Sequence, residues 1–126
     1  MKTGIITGAS SGLGREFVKQ CRSEFPEIEE FWLIARREEK IKENIKEVTG
    51  VKFKIVPLGL ARDESYKELS ALLAGETPDV RLLINNAGLG FWGAVSELPV
   101  HRQINSVDVN VKAVSAVTAV CLQYMS

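Results

Sequence analysis

Residues 7 to 14 read TGASSGLG, directly behind the short apolar run GIIT. Three glycines in eight residues, set between a strand-like run and an amphipathic segment, dictate a sharp strand–turn–helix connection. Such a connection aims the first N–H groups of the helix, and the positive end of its dipole, at the turn. Those donors make an anion site suited to a pyrophosphate. Gly8 permits the sharp turn, Gly12 lets a phosphate approach the backbone, and Gly14 lets the helix lie close on the strand. Ser10 and Ser11 can add hydroxyl donors. The spacing G-x-x-x-G-x-G is neither the G-x-G-x-x-G fingerprint nor a P-loop, since no Lys-Ser or Lys-Thr follows. On its own the triplet also fits a tight connection that holds nothing.

The rest of the chain alternates strand and helix, which argues for a parallel sheet covered by helices. Strands are expected at about 2–7, 31–35, 51–56 and 81–85. FWLIA, residues 31 to 35, is an unbroken apolar run of the kind buried on both faces. VKFKIV, residues 51 to 56, alternates apolar residues with Lys52 and Lys54, as an edge strand with one solvated side should. The first helix carries Leu13, Phe17, Cys21 and Phe25 four apart on one face. The second starts near Arg37, with Ile41, Ile45 and Val48 as its core stripe and Gly50 as its stop. The third runs from Asp63, a candidate N-cap, to Gly75. A last helix, from about His101 to Tyr124, is apolar nearly all round and should be buried on more than one side.

Charge narrows the function classes. Sixteen basic residues balance sixteen acidic ones, so no field concentrates nucleic acid or an anionic membrane. The two cysteines, Cys21 and Cys121, match no metal or redox spacing and read as small buried hydrophobes. No signal peptide and no bilayer-spanning run is apparent, so the cytoplasm is the expected compartment.

The end of the second strand is informative. A dinucleotide fold that selects NAD places an acid there for the ribose 2′-hydroxyl. Here Ala35 takes that place, followed by Arg36 and Arg37. A guanidinium pairs with a 2′-phosphate, which a carboxylate would repel. Two solvated arginines opening a helix would look the same in isolation; behind TGASSGLG the phosphate reading prevails.

TGASSGLG, then ARR at 35 to 37, NNAG at 85 to 88 and VNV at 109 to 111 together resemble the short-chain dehydrogenases/reductases over the whole chain. The resemblance implies an α/β, Rossmann-like, doubly wound parallel sheet in the order 3-2-1-4, incomplete beyond strand four, and NADP(H) as cofactor. It implies that Gly8, Ser10, Ser11, Gly12, Leu13 and Gly14 line the pyrophosphate turn. Arg36 would read the 2′-phosphate with Arg37 beside it. Asn86, Ala87 and Gly88 would lie along the adenosine ribose, and Val109 near the cofactor.

Two departures stand out. Where the family has an aspartate for the adenine amino group, this sequence has Gly59; the backbone of Gly59 and Leu60 could still line the adenine pocket. The family's catalytic Ser and Tyr-x-x-x-Lys pair have no counterpart among these residues, and only its helix Asn does, as Asn110. A phenol with a pKa near ~10 needs a nearby cation to act as a base at neutral pH, and no lysine follows Tyr124. The chain is therefore expected to be the cofactor-binding half of a reductase, inactive alone. A non-catalytic NADP(H)-binding sensor and a structural piece that binds no nucleotide are the rival readings. Asn110 then also fits a polar residue at a helix bend, His101 a helix start, and Phe91 with Trp92 either a pocket wall or loop packing. An apolar last helix and an open strand-four edge invite self-association, so a homo-oligomer is expected.

Overall fold

The computed structural model describes residues 1–88 and 96–126; Phe91 and Trp92 lie outside the described residues. Its elements are β1 (Lys2–Thr7), α1 (Gly12–Glu24), β2 (Glu30–Ile34), α2 (Glu38–Ile45), β3 (Lys52–Val56), α3 (Asp63–Glu76) and β4 (Asp79–Ile84). A last continuous helical stretch follows: α4 (Val100–Val107), a π-helical turn (Asp108–Lys112) and α5 (Ala113–Leu122). The four strands are all parallel and ordered β3-β2-β1-β4, as expected.

β2 shows why the sheet is covered on both faces. Phe31, Trp32, Leu33 and Ile34 are all fully buried, and successive side chains leave the strand on opposite faces. Trp32 and Ile34 join Leu69 and Leu73 of α3 and Val117 and Cys121 of α5 in one core. Phe31 and Leu33 join Val18 and Cys21 of α1 and Ile41 of α2 in the other. Burial pushes the Cys121 thiol up to about 11, so it stays protonated at neutral pH and packs as an apolar group.

Several local expectations are corrected. The buried stripe of α1 is Gly14, Val18 and Cys21, not one through Leu13 and Phe25, which are exposed. The glycine turn sets that rotation: a Cβ at Gly14 would run into the Gly8 carbonyl and Ala9, so Gly14 must face inward. α2 ends at Ile45 rather than at Gly50, which sits at φ +80 beneath the Arg22 side chain. Arg22 holds that turn by donating to the Thr49 and Gly50 carbonyls at 3.2 Å each.

Asp63 is the first residue of α3, not its cap. The helix runs past Gly75 to Thr77, which closes it in the left-handed region at φ 42, because Pro78 disfavours a helical residue before it. β3 is the edge strand, as expected, with Lys52 exposed and Lys54 partly covered: it lies 5.5 Å over the Trp32 ring and pairs with Glu76 at 2.9 Å.

The last helix is covered on one side, through Ala113, Val117 and Cys121. Val107 and Val111 are 57% and 58% exposed, so among the described residues no second covered side is found. At the outer edge of β4, the Val80 N–H bonds the Tyr124 carbonyl at 3.0 Å, in an isolated parallel bridge to Met125. Among the described residues no helix is long and apolar enough to cross a membrane.

Candidate functional site

The site grows from the C-terminal ends of β1 and β4. The buried Thr7 hydroxyl accepts the Asn86 and Ala87 N–H groups at 2.9 and 3.0 Å and donates toward the Ile84 carbonyl at 3.5 Å. This brings the NNAG segment against the glycine turn. Gly8 is required there twice over: its φ is +65, and a Cβ would lie 2.8 Å from the Asn86 carbonyl.

Two amides then clamp the turn. Asn86 Nδ2 donates to the Gly8 carbonyl at 3.1 Å and to Ser11 Oγ at 3.3 Å. Asn44 Nδ2, reaching from α2, donates to the Ala9 and Ser11 carbonyls at 2.8 and 3.1 Å. Ser11 caps α1, its Oγ accepting the Gly14 N–H and donating to the Gly8 carbonyl, both at 2.9 Å. Its hydroxyl is thus committed to the fold, and Ser10 is the serine whose hydroxyl has no partner among the described residues. Among the described residues the Gly12 and Leu13 N–H groups, the first two of the helix, have no hydrogen-bond partner either. Gly12 has open space where a Cβ would be. Two N–H donors and a hydroxyl, in a turn held rigid from both sides, are what an anion needs.

Beside this turn lies a cleft of about 190 Å³. Gly8, Ser10 and Ser11 line it from the turn, and Ile34, Ala35 and Arg36 from the end of β2. Leu58, Leu60 and Ala61 come from the segment after β3, Asn86, Ala87 and Gly88 from NNAG, and Asn105 and Val109 from the last helix. The volume is below the roughly 300–1,000 Å³ of a whole ligand pocket, so the cleft suits one half of a dinucleotide. A second cleft adjoins it, lined by Ser10, Arg36, Arg37 and Lys40. Three cations and one hydroxyl, with no acid in that lining, suit a phosphate.

Most residues expected from the sequence therefore meet around two neighbouring hollows. Gly14 lies beneath the turn as packing, and exposed Leu13 stands at the helix start. Gly59 is not a wall of the cleft; a Cβ there would sit 3.3 Å from Arg36 Cγ, so the glycine accommodates the Arg36 stem. Asn110 falls within the π-helical turn, with its Oδ1 3.1 Å from where a Gly88 Cβ would be. It donates to Ser106 Oγ at 3.0 Å and does not line the cleft. Thr7, Lys40, Asn44 and Asn105 were not legible as site residues. Lys40, Asn44 and Asn105 belong to no sequence motif, and the four-residue spacing from Asn105 to Val109 places only those two on a shared helix face.

Comparison with known proteins agrees with this geometry. The family model described as short chain dehydrogenase matches residues 2–126. A short chain dehydrogenase of Pseudocercospora fijiensis is 30% identical over 98% of this chain and 40% of its own length. A very-long-chain 3-oxoacyl-CoA reductase of Pyricularia oryzae is 38% identical over 67% of this chain and 26% of its own. The solved alcohol dehydrogenase of Thermococcus sibiricus, complexed with 5-hydroxy-NADP, superposes with a TM-score of 0.81 at 27% identity. That match covers 98% of this chain and 53% of the archaeal one. This chain thus spans less than half the length of those two curated relatives. A parallel β3-β2-β1-β4 sheet, a clamped glycine turn at its C-terminal edge and a family match across nearly every residue converge, and the chain belongs to the short-chain dehydrogenase family.

Proposed function

We propose that this chain is the NADP(H)-binding portion of an oxidoreductase that transfers hydride between the nicotinamide and a carbonyl or alcohol substrate. The observation that carries the choice of NADP(H) over NAD(H) is the cleft of Ser10, Arg36, Arg37 and Lys40, placed beside the cleft that suits an adenosine. The residues fit the cofactor: open space over Gly12 and the unpaired Gly12 and Leu13 N–H groups receive the pyrophosphate, and Ala35 presents no carboxylate to the ribose. When bound, the cofactor supplies the hydride chemistry; the chain's own residues bind and orient it. The family's serine and Tyr-x-x-x-Lys pair have no counterpart here, so these 126 residues alone do not turn substrate over. Relatives named as 3-oxoacyl-CoA reductases support a carbonyl as the reacting group.

Calorimetric titration of the chain with NADPH and separately with NADH tests this reading. Saturable binding that favours NADPH supports it, and binding of neither overturns it. Arg36→Ala should weaken NADPH by about 1.5–3 kcal/mol, the range for a charged hydrogen bond, and leave NADH nearly unmoved. Equal losses for both nucleotides contradict the assignment of Arg36.

A further inference from the structure

The part of the cleft formed after β3 offers a purine no polar side chain to bond with. No carboxylate is present at Gly59, and the space beside it holds the Arg36 stem. The carbonyls there are occupied as well. Gly59 accepts the Ser65 hydroxyl at 2.6 Å and the Arg62 N–H at 3.3 Å, and Leu60 accepts the Tyr66 hydroxyl at 2.5 Å. What this segment presents to the cleft is Leu58, Leu60 and Ala61.

The last helix presents something different. Asn105, one turn before Val109, lines the same cleft. It is half-buried, and among the described residues its side-chain amide has no hydrogen-bond partner. Asn86, the other amide in the lining, is committed to Gly8 and Ser11. Among the described residues Asn105 is therefore the one side-chain amide in the cleft lining available to a ligand.

We infer that Asn105 is the polar contact to the purine ring, standing in from the last helix for the missing carboxylate, and that the cleft accepts a 6-oxopurine nearly as well as adenine. The inference rests on the NADP(H) reading above and names how that site treats the base. A carboxylate only accepts, so it bonds the 6-amino group of adenine and repels a 6-oxo group. A primary amide carries an acceptor and two donors on one rotatable group. It accepts from the adenine amino group in one orientation and, turned over, donates to the hypoxanthine oxygen in the other. Selectivity at this ring position is lost without loss of the bond.

The test is titration of the chain, and of its Asn105→Leu and Asn105→Asp variants, with NADPH and with reduced nicotinamide hypoxanthine dinucleotide phosphate. Circular dichroism melting checks that each variant is folded. The unaltered chain should bind the two nucleotides with dissociation constants within about threefold of each other. Asn105→Leu should weaken both by about five- to tenfold, one hydrogen bond's worth. Asn105→Asp, which is isosteric and keeps the fold, should hold NADPH and weaken the hypoxanthine nucleotide by about tenfold or more. A residue with a merely structural role would move both affinities together and leave their ratio alone. A preference for NADPH above threefold in the unaltered chain, or a ratio that Asn105→Asp leaves unchanged, overturns the inference while the cofactor reading stands. Failure of the unaltered chain to bind either nucleotide overturns both.

Discussion

Thr7 does more for the site than its place at a strand end suggests. One buried hydroxyl accepts two consecutive N–H groups of the NNAG segment, so a single side chain fixes where β4 hands the chain to the cleft. Thr7→Val keeps the shape and leaves both donors without an acceptor. It should cost about 1–3 kcal/mol per abandoned group that water cannot reach, measured by urea unfolding, and Thr7→Ser should recover most of the loss. Two glycines make a complementary comparison. Gly8→Ala meets both a positive φ and backbone atoms at 2.8 Å, and should destabilise by about 1–3 kcal/mol or more. Gly59→Ala meets only the flexible Arg36 stem at 3.3 Å, and should stay within about 0.5 kcal/mol. Equal costs at the two positions would contradict the account of the turn.

At the scale of elements, the closest polar link between α3 and the last helix is Lys112, whose Nζ lies 2.9 Å from Asp63 and 3.4 Å from Asp108. The hydrogen bond from Lys112, with its charge, holds the Asp63 carboxyl below its ordinary 3.8. A depressed carboxyl contributes stability above its unfolded-state value and loses it as pH falls through the folded one. The group is exposed, so the contribution is small. Asp63→Asn should lower the melting temperature slightly near neutral pH and make no difference once pH is well below 3.8; the same difference at both ends would sink this link. The same helix illustrates how an element is read too simply. Its apolar composition predicted burial on several sides, yet α5 presents Ala113, Val117 and Cys121 to the core, while Val107 and Val111 are exposed.

For the molecule as a whole, that exposed stripe matters most. Val100, Ile104, Val107 and Val111 recur at helical spacing and all are more than half exposed, and among the described residues β4 is bridged at its outer edge only through Val80. Both features favour association. Light scattering should therefore report a mass above that of one 13.9 kDa chain at high concentration, and Val107→Lys with Val111→Lys should lower it. A monomer before substitution would end this reading.

What the sequence by itself determined was the order and kind of the elements and the place of the glycine turn, while the exact helix ends at Ile45, Asp63 and Glu76 were not legible. Alternating runs marked the strands and helices, the glycine spacing marked the turn, and four ordered motifs carried the family and the strand order. The tertiary structure decided what depends on residues far apart in the chain. Asn44 and Ala9 are separated by 35 positions and Asn86 and Thr7 by 79, and no local pattern announces that they will meet. The rotation of α1 followed from Gly14 pressing on Gly8 and Ala9, which turns Leu13 and Phe25 outward while Phe17 and Cys21 stay on the core. Ser11 became a cap and Ser10 a free donor for the same reason: two adjacent serines are alike in sequence, and only the packing of the turn sets their hydroxyls apart.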